Sequence, residues 1–114
     1  KEIRVVYYIK TIMYTVLENE REFDELVKKG PVVVQFWASW CKPCQRLSPT
    51  LKTYCLSNNI NGVYVDVDEL NELADSYDVQ KLPCILIVKN AVVLEKIEGA
   101  NWDVIEQKIK EHLL

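Results

Sequence analysis

Val32-Val33-Val34-Gln35-Phe36-Trp37-Ala38-Ser39-Trp40-Cys41-Lys42-Pro43-Cys44 is the stretch that decides the fold. Its first six residues are apolar almost throughout, as expected of a central strand covered on both faces. A Cys-x-x-Cys pair follows at Cys41 and Cys44, with Pro43 between the two. Proline suits the first turn of a helix, where its missing N–H would be unpaired anyway. A helix that starts near Cys41 sets that sulfur beside unpaired backbone N–H groups, at the positive end of the helix dipole. Such a place favours the thiolate, the reactive form of cysteine. Cys44, one helical turn on, is close enough to close a disulfide after small adjustment. That geometry is a reversible two-electron switch.

Two other readings of the pair stand beside this one. Half of a zinc knuckle needs a second cysteine pair at matching spacing. Here Cys55 and Cys84 stand alone, and the single histidine, His112, lies in the last few residues. A purely structural disulfide is the other reading. Strand, Cys-x-x-Cys, then helix in a chain of this size is nevertheless the pattern of redox work.

Outward from that stretch, the chain reads as alternating strands and helices. Upstream, residues 12–17 form a strand, and residues 20–29 a helix with Phe23, Leu26 and Val27 on one stripe, ended by Gly30-Pro31. Downstream, the helix from Cys41 runs towards Ser57, with a kink expected at Pro49. Asn58-Asn59-Ile60-Asn61-Gly62 is a turn cluster, followed by a strand over 63–67 and a helix over 71–77. Residues 84–89 and 92–98 form a hairpin across Asn90-Ala91, and the last helix carries Trp102, Ile105, Ile109 and Leu113 on one face. This order gives an α/β sandwich around a mixed sheet. In residues 1–11, Ile3, Val5, Tyr7 and Ile9 alternate with Arg4, Val6, Tyr8 and Lys10, the period of an additional edge strand or of an arm. Asp66/Asp68 and Glu69/Glu72 read as solvated turn and helix-start charges.

Composition narrows the classes. A chain of 114 residues is one domain, long enough to bury about two-thirds of its unfolded surface. It is 49% hydrophobic with three glycines, which excludes a disordered or loop-dominated chain. A formal charge of −3 offers no basic surface to nucleic acid. No apolar stretch reaches membrane-spanning length; residues 5–17 come nearest, and Lys10 interrupts them. The chain starts at Lys1 and not at methionine, the expected mark of a processed or trimmed chain. Its compartment is therefore open: cytoplasmic or, with a targeting segment lost, secretory or organellar.

The segment Phe36-Trp37-Ala38-Ser39-Trp40-Cys41-Lys42-Pro43-Cys44 resembles the active-site segment of the thioredoxin family. Val79-Gln80-Lys81-Leu82-Pro83 resembles the segment that carries that family's cis-proline. Lys89-Asn90 followed by Gly99-Ala100 resembles the family's last hairpin and the glycine after it, and Pro49 matches the proline that kinks its active-site helix. The resemblance covers residues 12–114 and leaves 1–11 as an N-terminal extension. It implies the thioredoxin fold, a central mixed sheet of four to five strands flanked by helices on both faces. It also implies a protein disulfide oxidoreductase that reduces partner-protein disulfides, with Cys41 as nucleophile and Cys44 as resolver.

No bound organic cofactor and no metal follow from the resemblance; the redox group is the Cys41–Cys44 disulfide itself. Electrons would come from a separate reductase of the thioredoxin-reductase type, since the chain has no glycine-rich dinucleotide motif. Partners would be disulfide-containing proteins. Trp40 would flank the site as a contact surface, with Trp37 packed below. Pro83 would be cis and leave the Leu82 backbone to pair with an extended substrate segment, while Gly99 and Ala100 leave room for it. The rival reading is a thioredoxin-fold adaptor within a larger assembly, its redox cycle secondary.

Three positions depart from the family pattern. Lys42 replaces the usual glycine, and its ammonium beside the thiolate would make the pair somewhat more oxidising, unless solvent screens it. Gln35 stands where the family typically has a buried aspartate behind the second cysteine, and Tyr64 where many relatives carry a lysine. Glutamine has no titratable group, so slower resolution of the mixed disulfide is expected. Cys84 follows Pro83 where threonine is usual. Lying near Cys41, it could trap the nucleophile or join the pair on a metal; otherwise it is a small buried apolar residue.

Overall fold

The computed structural model describes residues 6–9 and 12–114. The central strand β3 (Val32–Trp37) pairs in parallel with β4 (Asn61–Asp66) and antiparallel with β5 (Cys84–Lys89). Beyond β4 lies β2 (Ile12–Val16), also parallel, and beyond β5 lies β6 (Val92–Glu98), antiparallel. A further strand, β1 (Val6–Ile9), pairs antiparallel with β2, giving a six-stranded sheet in the order β1-β2-β4-β3-β5-β6. Strands β2–β6 make up the expected sheet of four to five strands, and β1 adds a sixth at its edge. The sixth arises because four residues of the N-terminal segment take up the free backbone groups of β2. The rest of the proposed 1–11 extension, residues 1–5, 10 and 11, lies outside the described residues.

Among the described residues four helices cover the sheet, two on each face. Helices α1 (Glu20–Lys29) and α3 (Asn71–Ser76) pack Phe23, Val27, Leu73 and Ala74 onto Val32, Val34, Phe36, Leu86 and Val88. Helices α2 (Lys42–Ser57) and α4 (Trp102–Leu113) pack Leu47, Leu51, Ile105 and Ile109 onto Val33, Ile85 and Ile87. Alternation along β3 and β5 does the sorting, since successive side chains point to opposite faces. Both faces of β3 are buried, which is why its sequence is apolar nearly end to end.

Local signals fix the boundaries. Asn19 caps α1 by accepting the Glu22 N–H at 3.0 Å, and the helix ends at Gly30 with φ +148°, a region that favours glycine. The β5–β6 turn holds both Asn90 and Ala91 at positive φ, as a two-residue hairpin of this hand requires. Helix α2 continues past Pro49 to Ser57. Strand β4 starts at Asn61, two residues before the expected 63, so Gly62 lies in a strand and not in a turn. Tyr14, fully buried, lies directly over Gly62: a Cβ there would meet ring carbons at 2.3 and 2.4 Å. Glycine is needed here for close approach.

Candidate functional site

Strand β3 delivers Trp37 and the turn Ala38-Ser39-Trp40 to the start of α2, where Cys41 is the N-cap. The Cys41 N–H is held by the Ala38 carbonyl at 3.1 Å, and Cys41 Sγ accepts the Cys44 N–H at 3.2 Å. The sulfur therefore does the work usually given to a capping oxygen, among the unpaired N–H groups of a 16-residue helix. When reduced, an anion at this point is stabilised by that donor and by the helix dipole. Cys41 and Cys44 are joined in a disulfide with Cα atoms 5.3 Å apart. Cys41 is 5% exposed and Cys44 0%, so the nucleophile candidate is the more accessible sulfur by a small margin. Pro43 sits in the first turn of α2, and Lys42 beside it is exposed.

Around the pair the structure brings together most of the residues singled out from sequence. Trp40 stands 66% exposed beside Cys41, and its indole Nε1 donates to Asp68 Oδ2 at 3.1 Å. Asp68, read from sequence as a solvated turn charge, thus orients the exposed indole; the two are 28 residues apart, and no local pattern links them. Trp37 packs against the Ala38–Cys41–Cys44 cluster together with Val67 and Leu82. The Leu82–Pro83 bond is cis, and the Pro83 carbonyl accepts the Gly99 N–H at 2.8 Å. Glu98 Oε2 accepts the backbone N–H groups of Gln80 and Lys81 at 3.3 and 3.2 Å, bracing the loop ahead of that proline. Gly99 has φ +100°, with nothing within 4 Å of the place a Cβ would take, and Ala100 is exposed.

Behind the pair, Gln35 is fully buried and pairs in register with Tyr64 on β4. Its Nε2 donates to Ser48 Oγ at 3.0 Å, and Ser48 Oγ donates to the Cys44 carbonyl at 2.7 Å. Sequence reasoning missed Ser48, although its position four residues after Cys44 puts it on the same helical face. The rings of Trp37, Tyr64 and Tyr14 stack edge-on or tilted, with centroids 6.0 and 5.1 Å apart, along a cavity of about 510 Å³ that Ser48 also lines.

Of the outcomes left open for Cys84, the structure favours the small buried residue over a partner of Cys41. Cys84 occupies β5 opposite Phe36 and belongs to the α1/α3 layer, with Leu86 and Val88, while Cys41 and Cys44 form a separate cluster. Burial pushes its thiol up to about 11, and that of Cys55, enclosed in the α2/α4 layer, up to about 12. Burial thus favours the protonated, less reactive form of both. Among the described residues the one group of three potential metal-ligand atoms lying within 4.8 Å of one another belongs to Glu95, Glu111 and His112 and includes no cysteine. Those side chains already bond each other and Lys108 at the β6–α4 contact.

A family model described as Thioredoxin matches residues 14–111. The chain is 34% identical over 99 residues to thioredoxin-1 of Saccharomyces cerevisiae, covering 85% of this chain and 96% of that one. It is 33% identical over 100 residues to thioredoxin-1 of Caenorhabditis elegans, covering 82% and 85%. Among solved structures, a Plasmodium falciparum thioredoxin matches with a TM-score of 0.85 at 26% identity, covering 98% of this chain and 97% of that one. A Schistosoma mansoni thioredoxin matches with a TM-score of 0.82 at 30% identity, covering 88% and 95%. With a match spanning nearly the whole chain and a disulfide at the helix start, the chain belongs to the thioredoxin family and is a thiol–disulfide oxidoreductase.

Proposed function

We propose that this protein reduces disulfides in partner proteins, with Cys41 as nucleophile and Cys44 as resolver, and is recharged by a separate reductase. The observation that carries the assignment is the Cys41 Sγ at the N-cap of α2, accepting the Cys44 N–H. The Cys41 thiolate attacks one sulfur of the partner disulfide; a Cys41–partner bond forms, and the partner's other sulfur leaves and takes up a proton. Cys44 then loses its proton to solvent and attacks Cys41 Sγ. The partner departs as a dithiol, and the Cys41–Cys44 disulfide holds the oxidised equivalent until a reductase returns two electrons and two protons. In this reading Trp40 contacts the partner, and the open space over Gly99 and Ala100 admits its chain beside Leu82 and Pro83.

The adaptor reading is not favoured, because the matched relatives are thioredoxins over most of their own length. Insulin reduction with dithiothreitol tests the proposal. Cys41→Ser should abolish turnover, and Cys44→Ser should leave a long-lived mixed disulfide on Cys41. Turnover that survives Cys41→Ser would overturn the assignment.

A further inference from the structure

Ser48 stands one helical turn after Cys44, and its hydroxyl makes two hydrogen bonds at once. It donates to the Cys44 carbonyl and accepts from Gln35 Nε2. A serine hydroxyl has a single proton. With that proton committed to the carbonyl, Ser48 can only accept from Gln35, and the side-chain amide is fixed with its nitrogen on Ser48. The other pole of the amide, Oε1, is buried without a protein partner. An amide oxygen enclosed in this way calls for a donor.

The surroundings of Gln35 narrow the donor. On the flanking strands its register neighbours are Tyr64 and Ile85, and α2 lays Cys44 and Ser48 over the same layer. Ile85 has nothing to donate, Ser48 has given its proton away, and the Tyr64 ring packs between Tyr14 and Trp37. Cys44, fully buried, is the group that gains a proton when the disulfide opens. The titratable groups on the elements packed around it are Cys41, Lys42, Arg46, Lys52, Tyr54 and Cys55 on or beside α2, Tyr14 on β2, Tyr64 and Asp66 on β4, and Cys84 in the opposite layer. Among the described residues no carboxylate pairs with Gln35 in register; the carboxylate on that face, Asp66, lies two residues further along, opposite Trp37.

We propose that Ser48 is a positioning residue for the resolving cysteine. By holding the Gln35 nitrogen it presents Gln35 Oε1 as the acceptor of the Cys44 S–H in the reduced protein, and so keeps that thiol protonated between turnovers. The inference rests on the oxidoreductase reading above. Resolution then requires solvent hydroxide to take the Cys44 proton. The thiolate forms the bond to Cys41 Sγ as the Cys41–partner bond breaks, and the departing partner thiolate takes a proton from water.

The test is the reaction of the reduced full chain with dithiobis(nitrobenzoate), followed by stopped flow across neutral pH. The first release of thionitrobenzoate reports attack by Cys41, and the second reports resolution by Cys44. In Ser48→Ala the amide is free to turn its N–H towards the Cys44 sulfur, where it favours the thiolate. The second phase should then quicken about fivefold at neutral pH, the factor that one net hydrogen bond supplies, and its pH profile should shift down. Ser48→Thr keeps the hydroxyl and should follow the wild type. A Ser48→Ala second phase with the wild-type pH profile, at whatever amplitude or speed, would overturn the proposal. Loss of the first phase in the wild-type protein would instead overturn the oxidoreductase reading, and this proposal with it.

Discussion

Gly62→Ala is the perturbation whose size the structure specifies most directly. The new methyl would lie 2.3 and 2.4 Å from two carbons of the Tyr14 ring, well inside contact distance. Tyr14 is 1% exposed and its ring is set edge-on to Tyr64, so a swing towards the neighbouring cavity gives up that ring contact and its packing. A buried tyrosine covers about 150–250 Å². Displacing a third of that at about 25 cal/mol/Å² costs about 1–2 kcal/mol, and strain in an overpacked layer adds about 1–2 kcal/mol. The total, about 2–4 kcal/mol, corresponds to a fall in Tm of roughly 10 °C for a domain of this size. Urea unfolding of the oxidised protein measures it, and a double-mutant cycle with Tyr14→Leu isolates the contact. In the Leu background most of the penalty should vanish. A Gly62→Ala protein within about 0.5 kcal/mol of wild type, or an equal penalty in both backgrounds, would refute the reasoning.

The two buried thiols should resist alkylation in the folded, reduced protein at mildly alkaline pH, where Cys41 reacts; mass spectrometry should find Cys55 and Cys84 modified only after denaturant is added. Because folding raises both thiols from about 9 to about 12 and about 11, their contribution to stability is full below the unfolded value and fades as pH rises through that window, visible as a falling urea midpoint. Glu95 moves the other way: the hydrogen bond from His112, with Lys108 nearby, holds its carboxyl below the usual range. Its contribution is present above the ordinary glutamate value and lost as pH falls through the depressed one, so Glu95→Gln should flatten the acid limb of the stability curve. Trp40→Ala should lower kcat/KM for protein disulfides by roughly tenfold, the cost of an aromatic anchor, with Tm almost unchanged because the indole is largely solvent-exposed.

Elements with strong punctuation were legible in the sequence. Helix α1 falls at the expected residues because Asn19 starts it and Gly30-Pro31 stops it, and the β5–β6 hairpin turns at Asn90-Ala91 as read. Asn61 and Gly62 misled, since both are turn formers by local propensity. Their strand conformation comes from pairing with Val32 and Val33 of β3 and, for Gly62, with Tyr14, 48 positions away, which local pattern does not carry. The pairing of β1 with β2 was visible as a period of two but not as a partner. For Cys84 the sequence left open a place near Cys41, drawn from its nearness in sequence to Pro83, beside that of a small buried residue. Counting by twos from Ile85 and Ile87, which face α2 and α4, would have sent Cys84 to the other side. Ser48 and Asp68 were passed over because each acts through a partner, Gln35 or Trp40, that is distant in the chain.

The most direct test of the central claim is a redox titration of the whole chain against a dithiol buffer, with alkylation and mass spectrometry assigning each thiol. The account predicts one two-electron transition confined to Cys41 and Cys44, with Cys55 and Cys84 reduced throughout. Its midpoint should lie nearer about −270 mV than about −180 mV, as suits a reductant. No transition at that pair, or one that drew in Cys84 or Cys55, would contradict it.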